Sequence, residues 1–436
     1  MPLLQKNLPR RAVLIGTATA LLPPAWGAPK PDLRGQLQAL VDDPAAPLAG
    51  LSVLVQRAGR TVLAAQFGRR YIAADRMDDL PVTADTVFRV ASVSKIVVAL
   101  AVMRLVDAGR LSLDADISDS LGYRVRHPNH ADLPLTPRLL LSHRSSLSDE
   151  AGADLESGQR MEAALTDATS PRWAAHAPGT FFEYCNFNFG VLASVIERIS
   201  GQRFDRFNSA QVLRPLGMLG GFDAAALPPE QLAHVATLYR KFDGKQWMPS
   251  GPWVAQADDF HAVPPVPKPG LADYMLGSNG SLFSPQGGLR TRVQDLGRLL
   301  TMLNGGGVID GQRFLSAASV QAMTTEQWRF DAAAKNGDDL AGEFQAWGVG
   351  LQHFIDRSGP GWGDRLRPAG GQQAWGHLGF AYGLQAALMA DPGTQTGIVY
   401  VISGTGVNPD ALHGRYSSFA PWEEQLHALL WAAARG

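Results

Sequence analysis

The stretch that decides the fold is Phe88 to Gly109, which reads FRVASVSKIVVALAVMRLVDAG. From Lys95 onward this run is apolar on nearly every face, which is typical of a helix buried on all sides rather than one lying on a surface. Gly109 suits the end of the helix, because glycine is common just after a helix terminus. The sequence therefore predicts a central buried helix with a lysine in its first turn.

Ser92 and Lys95 stand three residues apart at the start of this predicted helix. Residues at that spacing share one helix face, so the lysine amine can reach the serine hydroxyl. A serine is a poor nucleophile until a base removes its proton, and a lysine can be that base when burial lowers its pKa. Backbone N–H groups at the helix start also favour an oxyanion near Ser92. The alternative interpretation is a helix-capping Ser92 and a solvated Lys95.

Two further short patterns contain side chains suited to the same chemistry. Tyr184 and Asn186 flank Cys185; a tyrosine can pass a proton to or from a serine, and an asparagine can hold a substrate amide. His377 lies in the segment WGHLG, within a predicted strand. The alternatives are a core tyrosine beside a turn asparagine, and a strand histidine satisfied by a backbone carbonyl.

Strand-like runs lie near both ends of the chain, and helical patterns dominate between them. Aliphatic and β-branched residues at 51–57 and 61–67, with a turn between, predict a β-hairpin. The other predicted elements are strands at 374–380, 383–390 and 397–403, helices at 191–199, 204–213 and 293–303, and a terminal helix at 421–434. We expect an α+β fold, with one antiparallel sheet built from both chain ends, flanking helices and an inserted all-helical region.

Taken together, these motifs resemble the penicillin-recognising superfamily of serine hydrolases. The resemblance is to the branch that holds class C β-lactamases, D-alanyl-D-alanine carboxypeptidases, D-aminopeptidases and related esterases, and it runs from about Leu51 to the C-terminus. The matching blocks are FRVA before Ser92, LLLSHRSSL at 139–147, the segment from Pro178 to Asn186, PLGM at 215–218 and GGL at 287–289. The resemblance implies a β-lactamase/DD-peptidase-like fold over residues 29–436, with a sheet region at about 35–88 and 285–436 and a helical region at about 89–284.

The resemblance also implies a role for each site residue. Ser92 would be the acyl-enzyme nucleophile, Lys95 its activating base and Tyr184 a second proton carrier. Asn186 would bind the amide on the acyl side of the substrate. The remaining implied positions are His377 and Gly379 on the strand beside the substrate, with an oxyanion hole formed by the backbone N–H groups of Ser92 and Phe380.

The third motif departs from that of class C β-lactamases, in which Lys-Thr-Gly stands where this chain has His377-Leu378-Gly379. A lysine is a permanent cation, whereas a histidine is mostly neutral near pH 7. The sequence thus favours an esterase or a D-amino-acid peptidase acting on a small ester, amide or D-amino-acid peptide. The alternatives are a β-lactamase, an acyltransferase, or a penicillin-binding sensor-like protein that is acylated without turnover.

The N-terminal segment, residues 1–28, has the pattern of a signal peptide. Arg10 and Arg11 precede the uncharged apolar run AVLIGTATALL at 12–22, and small residues follow at 25–28. The run is too short to span a bilayer as a helix, and the paired arginines resemble a twin-arginine signal. We expect an exported protein, periplasmic or secreted, with no stable membrane span after processing.

Composition excludes several kinds of partner and site. The chain has 436 residues, with 39 basic and 40 acidic side chains, which leaves no general positive field for nucleic acid. Cys185 is the single cysteine, so neither an intramolecular disulfide nor a cysteine-based metal site can form. We expect no metal and no cofactor, and His127 and His130 are assigned to a polar loop. His143 is expected to be structural, and Asp149-Glu150 to be a solvated loop. The oligomeric state stays open.

Overall fold

The computed structural model of the chain describes residues 32–73, 75 and 77–436. The predicted signal peptide, residues 1–28, lies outside the described residues. The α-helices are α1 (Leu33–Val41), α2 (Ser94–Asp107), α3 (Ile117–Leu121), α4 (Pro137–Leu141), α5 (Met161–Thr166), α6 (Phe187–Ser200), α7 (Phe204–Asn208), α8 (Pro229–Leu232), α9 (Val293–Asn304), α10 (Ala317–Thr324) and α11 (Pro421–Arg435).

The strands fall into one large sheet and several small ones. They are β1 (Gly50–Arg57), β2 (Arg60–Tyr71), β3 (Leu80–Pro81), β4 (Val87–Arg89), β5 (Arg126–His127), β6 (His130–Pro134), β7 (Leu238–Lys241), β8 (Trp253–Ala257), β9 (Arg290–Arg292), β10 (Val308–Ile309), β11 (Gln312–Arg313), β12 (Trp328–Arg329), β13 (Ala346–Trp347), β14 (Gln352–Phe354), β15 (Ala374–Ala381), β16 (Leu384–Asp391), β17 (Thr396–Ile402) and β18 (Gly404–Thr405).

The large sheet has nine strands in the order β12-β13-β14-β15-β16-β17-β1-β2-β3. Every neighbouring pair is antiparallel. The two chain ends meet at its centre, where β1 pairs with β17 from Leu51 opposite Ile402 to Arg57 opposite Thr396. The predicted α+β fold, with a single antiparallel sheet built from both ends, is confirmed.

Both faces of the sheet are covered, which explains why its central strands are apolar throughout. Successive side chains of a strand point to opposite faces, and in β17 Val399 and Val401 join one core while Ile398, Tyr400 and Ile402 join the other. The second of these cores is closed by α1 and α11, and the first contains the apolar side chains of α2, α6 and α9. Buried on both sides, such strands show little polar alternation.

Helix α2 is the buried helix that the sequence predicts. Every residue from Ser94 to Met103 is buried, and the helix ends at Asp107, with Gly109 at φ 64° shortly after it. The position of α2 matters for function because its first turn points toward β15, the strand that contains His377 and Gly379.

Two differences from the expected layout stand out. The region at about 89–284 has more helix than strand, but β5 to β8 lie within it, so it is not all-helical. Strands β12 to β14 extend the sheet beyond β15 and were not predicted. No helix in the described part of the chain is both long and apolar enough to cross a membrane.

Candidate active site

Ser92 lies in a short 3-10 turn, Ala91–Val93, directly before α2. The backbone of Ala91 has φ 44°, in the left-handed region that residues with a side chain seldom adopt. Strain of this kind persists where the surrounding structure enforces it, often at functional sites. Here the Val90 N–H donates to the Leu289 carbonyl oxygen at 3.0 Å, which anchors the turn. The serine is therefore held at a fixed point before the buried helix.

Strand β15 passes close to this turn at Gly379. A Cβ atom at position 379 would lie 2.6 Å from the Val90 carbonyl oxygen and 3.3 Å from the Ser92 amide nitrogen, so glycine is needed there. Strand β14 pairs with β15 only from Ala374 to Gly376. Beyond Gly376, that edge of β15 has no neighbouring strand among the described residues, and such an edge is a template for an extended ligand.

Lys95 is completely buried below Ser92. Its Nζ donates to the Ser92 Oγ at 2.9 Å, to the Asn186 Oδ1 at 2.8 Å and to the Gln286 carbonyl oxygen at 2.9 Å. The ammonium thus has a partner for each of its three protons. Burial lowers the pKa of Lys95 to about 7, and the negative charge of Asp149 opposes this shift. A lysine so placed can exchange a proton with Ser92 near neutral pH.

Tyr184 covers the lysine on the side of the cavity. Its ring centroid is 4.9 Å from the Lys95 Nζ, and the ring stacks on His143 with centroids 4.4 Å apart. Burial raises the pKa of the Tyr184 phenol, and a hydrogen bond with Ser92 opposes that rise. The phenol therefore keeps its proton near neutral pH. Asn186 follows at the start of α6, where its side chain meets the lysine.

Asp149 fixes the backbone that presents Tyr184 and Asn186. Its Oδ2 accepts from the backbone N–H of Asn186 at 2.9 Å and from the Asn186 Nδ2 at 2.8 Å. Its Oδ1 accepts from the Phe187 N–H at 2.9 Å and contacts the Cys185 thiol at 3.4 Å. The interpretation of Asp149 as part of a solvated loop is wrong. In the sequence, the signal for this structural role was the position of Asp149, two residues after the segment LLLSHRSSL.

Two buried histidines flank the tyrosine, and both are neutral. His143 accepts the Cys185 N–H at its Nδ1, at 3.0 Å, and burial lowers its pKa well below the usual value. His377 donates from its Nδ1 to the Leu378 carbonyl oxygen at 2.5 Å, and burial lowers its pKa to about 3. Its ring lies 5.3 Å from that of Trp347, measured between centroids. No permanent cation therefore stands at the third motif.

A cavity of about 650 Å³ opens above these groups. The structure brings the sequence-predicted residues together there: Lys95 lies directly beneath the cavity, and the lining includes Ser92, Tyr184, Asn186, His377, Gly379 and Phe380. Sequence reasoning missed the four acidic side chains of this lining, Asp338, Glu343, Asp410 and Glu423. Nothing in the local sequence around those residues marks them, because they reach the cavity from separate segments. Among the described residues, no cluster of His, Cys, Asp and Glu could hold a metal ion.

Comparison with protein families identifies this arrangement. The sequence model of the Beta-lactamase family matches residues 37–419, which is most of the chain and includes Ser92, Lys95, Tyr184, Asn186 and His377. The chain belongs to the Beta-lactamase family. It is a member of the penicillin-recognising serine hydrolases, as the order of its motifs predicts.

Its relatives and its structural neighbours have different names. Penicillin-binding protein 4 of Amycolatopsis lactamdurans is 29% identical over 324 residues, which is 72% of this chain and 74% of that protein. Esterase EstB of Burkholderia gladioli is 34% identical over 236 residues, covering 50% of this chain and 58% of the esterase. The D-amino acid amidase of Ochrobactrum anthropi SV3, complexed with L-phenylalanine amide, shares the fold with a TM-score of 0.64 and 19% identity, over 93% and 99% of the two chains.

Proposed function

We propose that this Beta-lactamase-family protein is an exported serine hydrolase that cleaves an ester or amide bond through an acyl-enzyme on Ser92. The contact between Lys95 and Ser92 is the observation that supports this proposal most directly. The Lys95 Nζ lies 2.9 Å from the Ser92 Oγ, and the pKa of this lysine is about 7. At pH 7 about half of such lysines are neutral, against roughly one in 2,500 at the usual lysine pKa. The base needed to activate the serine is thus present at neutral pH.

The reaction follows from these positions. Neutral Lys95 accepts the Ser92 proton while Oγ forms a bond to the substrate carbonyl carbon. The electron pair of the carbonyl moves to its oxygen, which the backbone N–H groups of Ser92 and Phe380 would stabilise. Tyr184 gives its proton to the departing alcohol or amine as the scissile bond breaks, and takes one back from Lys95. A water molecule then attacks the acyl-enzyme, which releases the acid and restores Ser92.

The third motif bears on the substrate class. His377 is neutral, so a substrate carboxylate finds no permanent cation at this position. This favours an ester, an amide or a D-amino-acid peptide over a β-lactam as substrate. One relative is named an esterase and a structural neighbour is named a D-amino acid amidase, which supports this order, whereas the name of Penicillin-binding protein 4 keeps the alternatives that bind β-lactams in view.

A fluorophosphonate probe tests the nucleophile. We expect it to label the wild-type protein and the Ser112→Ala variant, whose altered serine is exposed, but not Ser92→Ala. Mass spectrometry of the labelled peptide locates the adduct. A folded wild-type protein that stays unlabelled, or a Ser92→Ala variant that is still labelled, would remove Ser92 from the mechanism.

Turnover separates hydrolase, sensor and transferase. We expect steady hydrolysis of p-nitrophenyl acetate and slow or no hydrolysis of a chromogenic cephalosporin. A stoichiometric burst without turnover would identify an acylated sensor instead, and products formed with added alcohols or amines would identify an acyltransferase. Fast hydrolysis of the cephalosporin would make the protein a β-lactamase.

Export rests on the sequence pattern of residues 1–28. A reporter fused after residue 40 should reach the periplasm of a bacterial host, and replacing Arg10 and Arg11 by lysines should retain it in the cytoplasm if the twin-arginine route is used. A reporter that stays cytoplasmic with the native arginines would contradict export.

A further inference from the structure

The cavity that contains Ser92 has an acidic side that the proposed mechanism does not use. Among the described lining residues none is a lysine or an arginine, and four are acidic: Asp338, Glu343, Asp410 and Glu423. Glu343 interacts electrostatically with Tyr184 and with Glu423, which places the acidic side next to the proposed catalytic groups. Whatever part of a substrate lies there faces carboxyl groups and no basic side chain of the described lining.

Two of these carboxyl groups lack a compensating cation. In the part of the chain that the structure describes, the Glu343 side chain has no hydrogen-bond or salt-bridge partner, and Glu423 is 9% exposed and bonded only to neutral groups such as the Tyr400 hydroxyl at 3.0 Å. Burial raises the pKa of Glu343 to about 8 and that of Glu423 to about 7. A carboxylate with restricted access to water and no nearby cation is unfavourable, so both groups hold a proton more readily than usual, and a cationic ligand would favour their ionised form.

His377 adds an unpaired hydrogen-bond acceptor to the same cavity. Its side chain is 1% exposed and lines the cavity, yet the Nε2 has no hydrogen-bond partner. Because Nδ1 donates to the Leu378 carbonyl oxygen, the neutral ring offers a lone pair at Nε2. A buried acceptor is normally satisfied, so a hydrogen-bond donor on a ligand is the expected partner.

The apolar walls suit the same kind of ligand. Aromatic rings of Tyr184, Phe344, Phe380 and Phe419 line the cavity together with the carboxyl groups. The face of an aromatic ring attracts an ammonium group. Acidic side chains among aromatic rings thus form a site that favours a positively charged amine.

We propose that the substrate of this site bears a protonated amine, which Glu343 and Glu423 bind while Ser92 attacks a carbonyl group of the same molecule. The inference rests on the proposed serine hydrolase function and narrows its substrate class to amino-acid esters, amides or peptides with a free amine. An N-acylated or anionic analogue would place an uncharged group or a negative charge against the acidic side.

A matched set of p-nitrophenyl esters tests the amine. D-Alanine, N-acetyl-D-alanine and N-succinyl-D-alanine esters present a cation, a neutral group and an anion on one scaffold. At pH 7 we expect kcat/KM for the free amine to exceed that for the acetyl ester at least tenfold, with the succinyl ester slower still. Equal or faster reaction of the acetyl ester would overturn the proposal. So would inertness of all three esters in a protein whose Ser92 is labelled by fluorophosphonate, whereas absent labelling would instead refute the hydrolase itself.

A variant tests the assignment of the carboxylate. Glu343→Gln keeps the size of the side chain but cannot ionise to pair with an ammonium group, so the ratio of kcat/KM for the amine ester over the acetyl ester should fall about tenfold. Glu156→Gln, an exposed glutamate away from the cavity, is the matched control and should keep the ratio. The ratio is insensitive to a general loss of active protein, and an unchanged ratio in a folded Glu343→Gln variant would overturn the assignment.

Discussion

The activity of this protein should follow the charge of Lys95. With a pKa of about 7, the neutral fraction of the lysine is about one half at pH 7 and about one tenth at pH 6. Acylation needs the neutral amine, so kcat/KM for p-nitrophenyl acetate should fall about fivefold from pH 7 to pH 6, and about tenfold for each further unit. The plateau should lie above pH 8.

Asp149→Asn tests whether the fall in kcat/KM below pH 7, the acid limb of the pH profile, reflects the titration of Lys95. The Asp149 charge raises the pKa of the lysine, so removing it should move the limb to lower pH and leave more of the maximal rate at pH 6. The substitution also weakens the bonds to the Asn186 and Phe187 N–H groups, and each lost bond to a charged acceptor costs about 1.5–3 kcal/mol of stability. The thermal unfolding of the variant should therefore be measured together with its activity.

The two effects can be told apart. Asp132→Asn removes an exposed carboxylate and should leave the profile in place. A purely structural role of Asp149 would lower the whole profile without moving it. A limb that does not move in folded Asp149→Asn, or a wild-type rate that does not change between pH 6 and 8, would refute Lys95 as the base that titrates.

Three other outcomes follow from the packing. Gly379→Ala should reduce kcat/KM at least about a hundredfold, because its methyl group displaces β15 from the nucleophile turn, while Gly393→Ala, in an exposed turn, should stay active. Lys95 should contribute a rise of about 4 kcal/mol to the free energy of unfolding between pH 7 and 10.5, because over most of that window the unfolded chain binds the Lys95 proton and the folded one does not; urea unfolding of Lys95→Met should lack this contribution. Trp431→Ala should lower the free energy of unfolding by about 3–5 kcal/mol, because the ring is fully buried. Leu412→Ala, at a partly exposed position, should lower it by less than about 1 kcal/mol. Chemical denaturation measures both values.

The sequence predicted those elements whose own residues determine them. The long strands of the sheet are continuous runs bounded by turns, and they are β1, β2, β15, β16 and β17. The apolar run of α2 is too long for a strand and therefore indicates a buried helix. Strands β12, β13 and β14 have two or three residues each. A segment of that length shows no periodicity, so its strand character depends on the neighbour with which it pairs.

The site divides in the same way. Ser92 and Lys95 were found because a local spacing places them together. The Gln286 carbonyl oxygen also holds Lys95, but any residue type supplies a carbonyl, so no pattern could reveal it. Glu343 and Glu423 enter the cavity from distant segments, and their isolation from cations is a property of the folded chain alone.

The central pairing of β1 with β17 has a consequence for biosynthesis. Roughly 340 residues separate the two strands, so at ribosomal rates of about 5–20 residues per second the N-terminal hairpin waits about 17–70 s for its partner. Throughout that interval one edge of β1, apolar on both faces, is exposed to other chains. Such a topology folds late and slowly, and its nascent chain is a natural client for chaperones that shield unpaired strands.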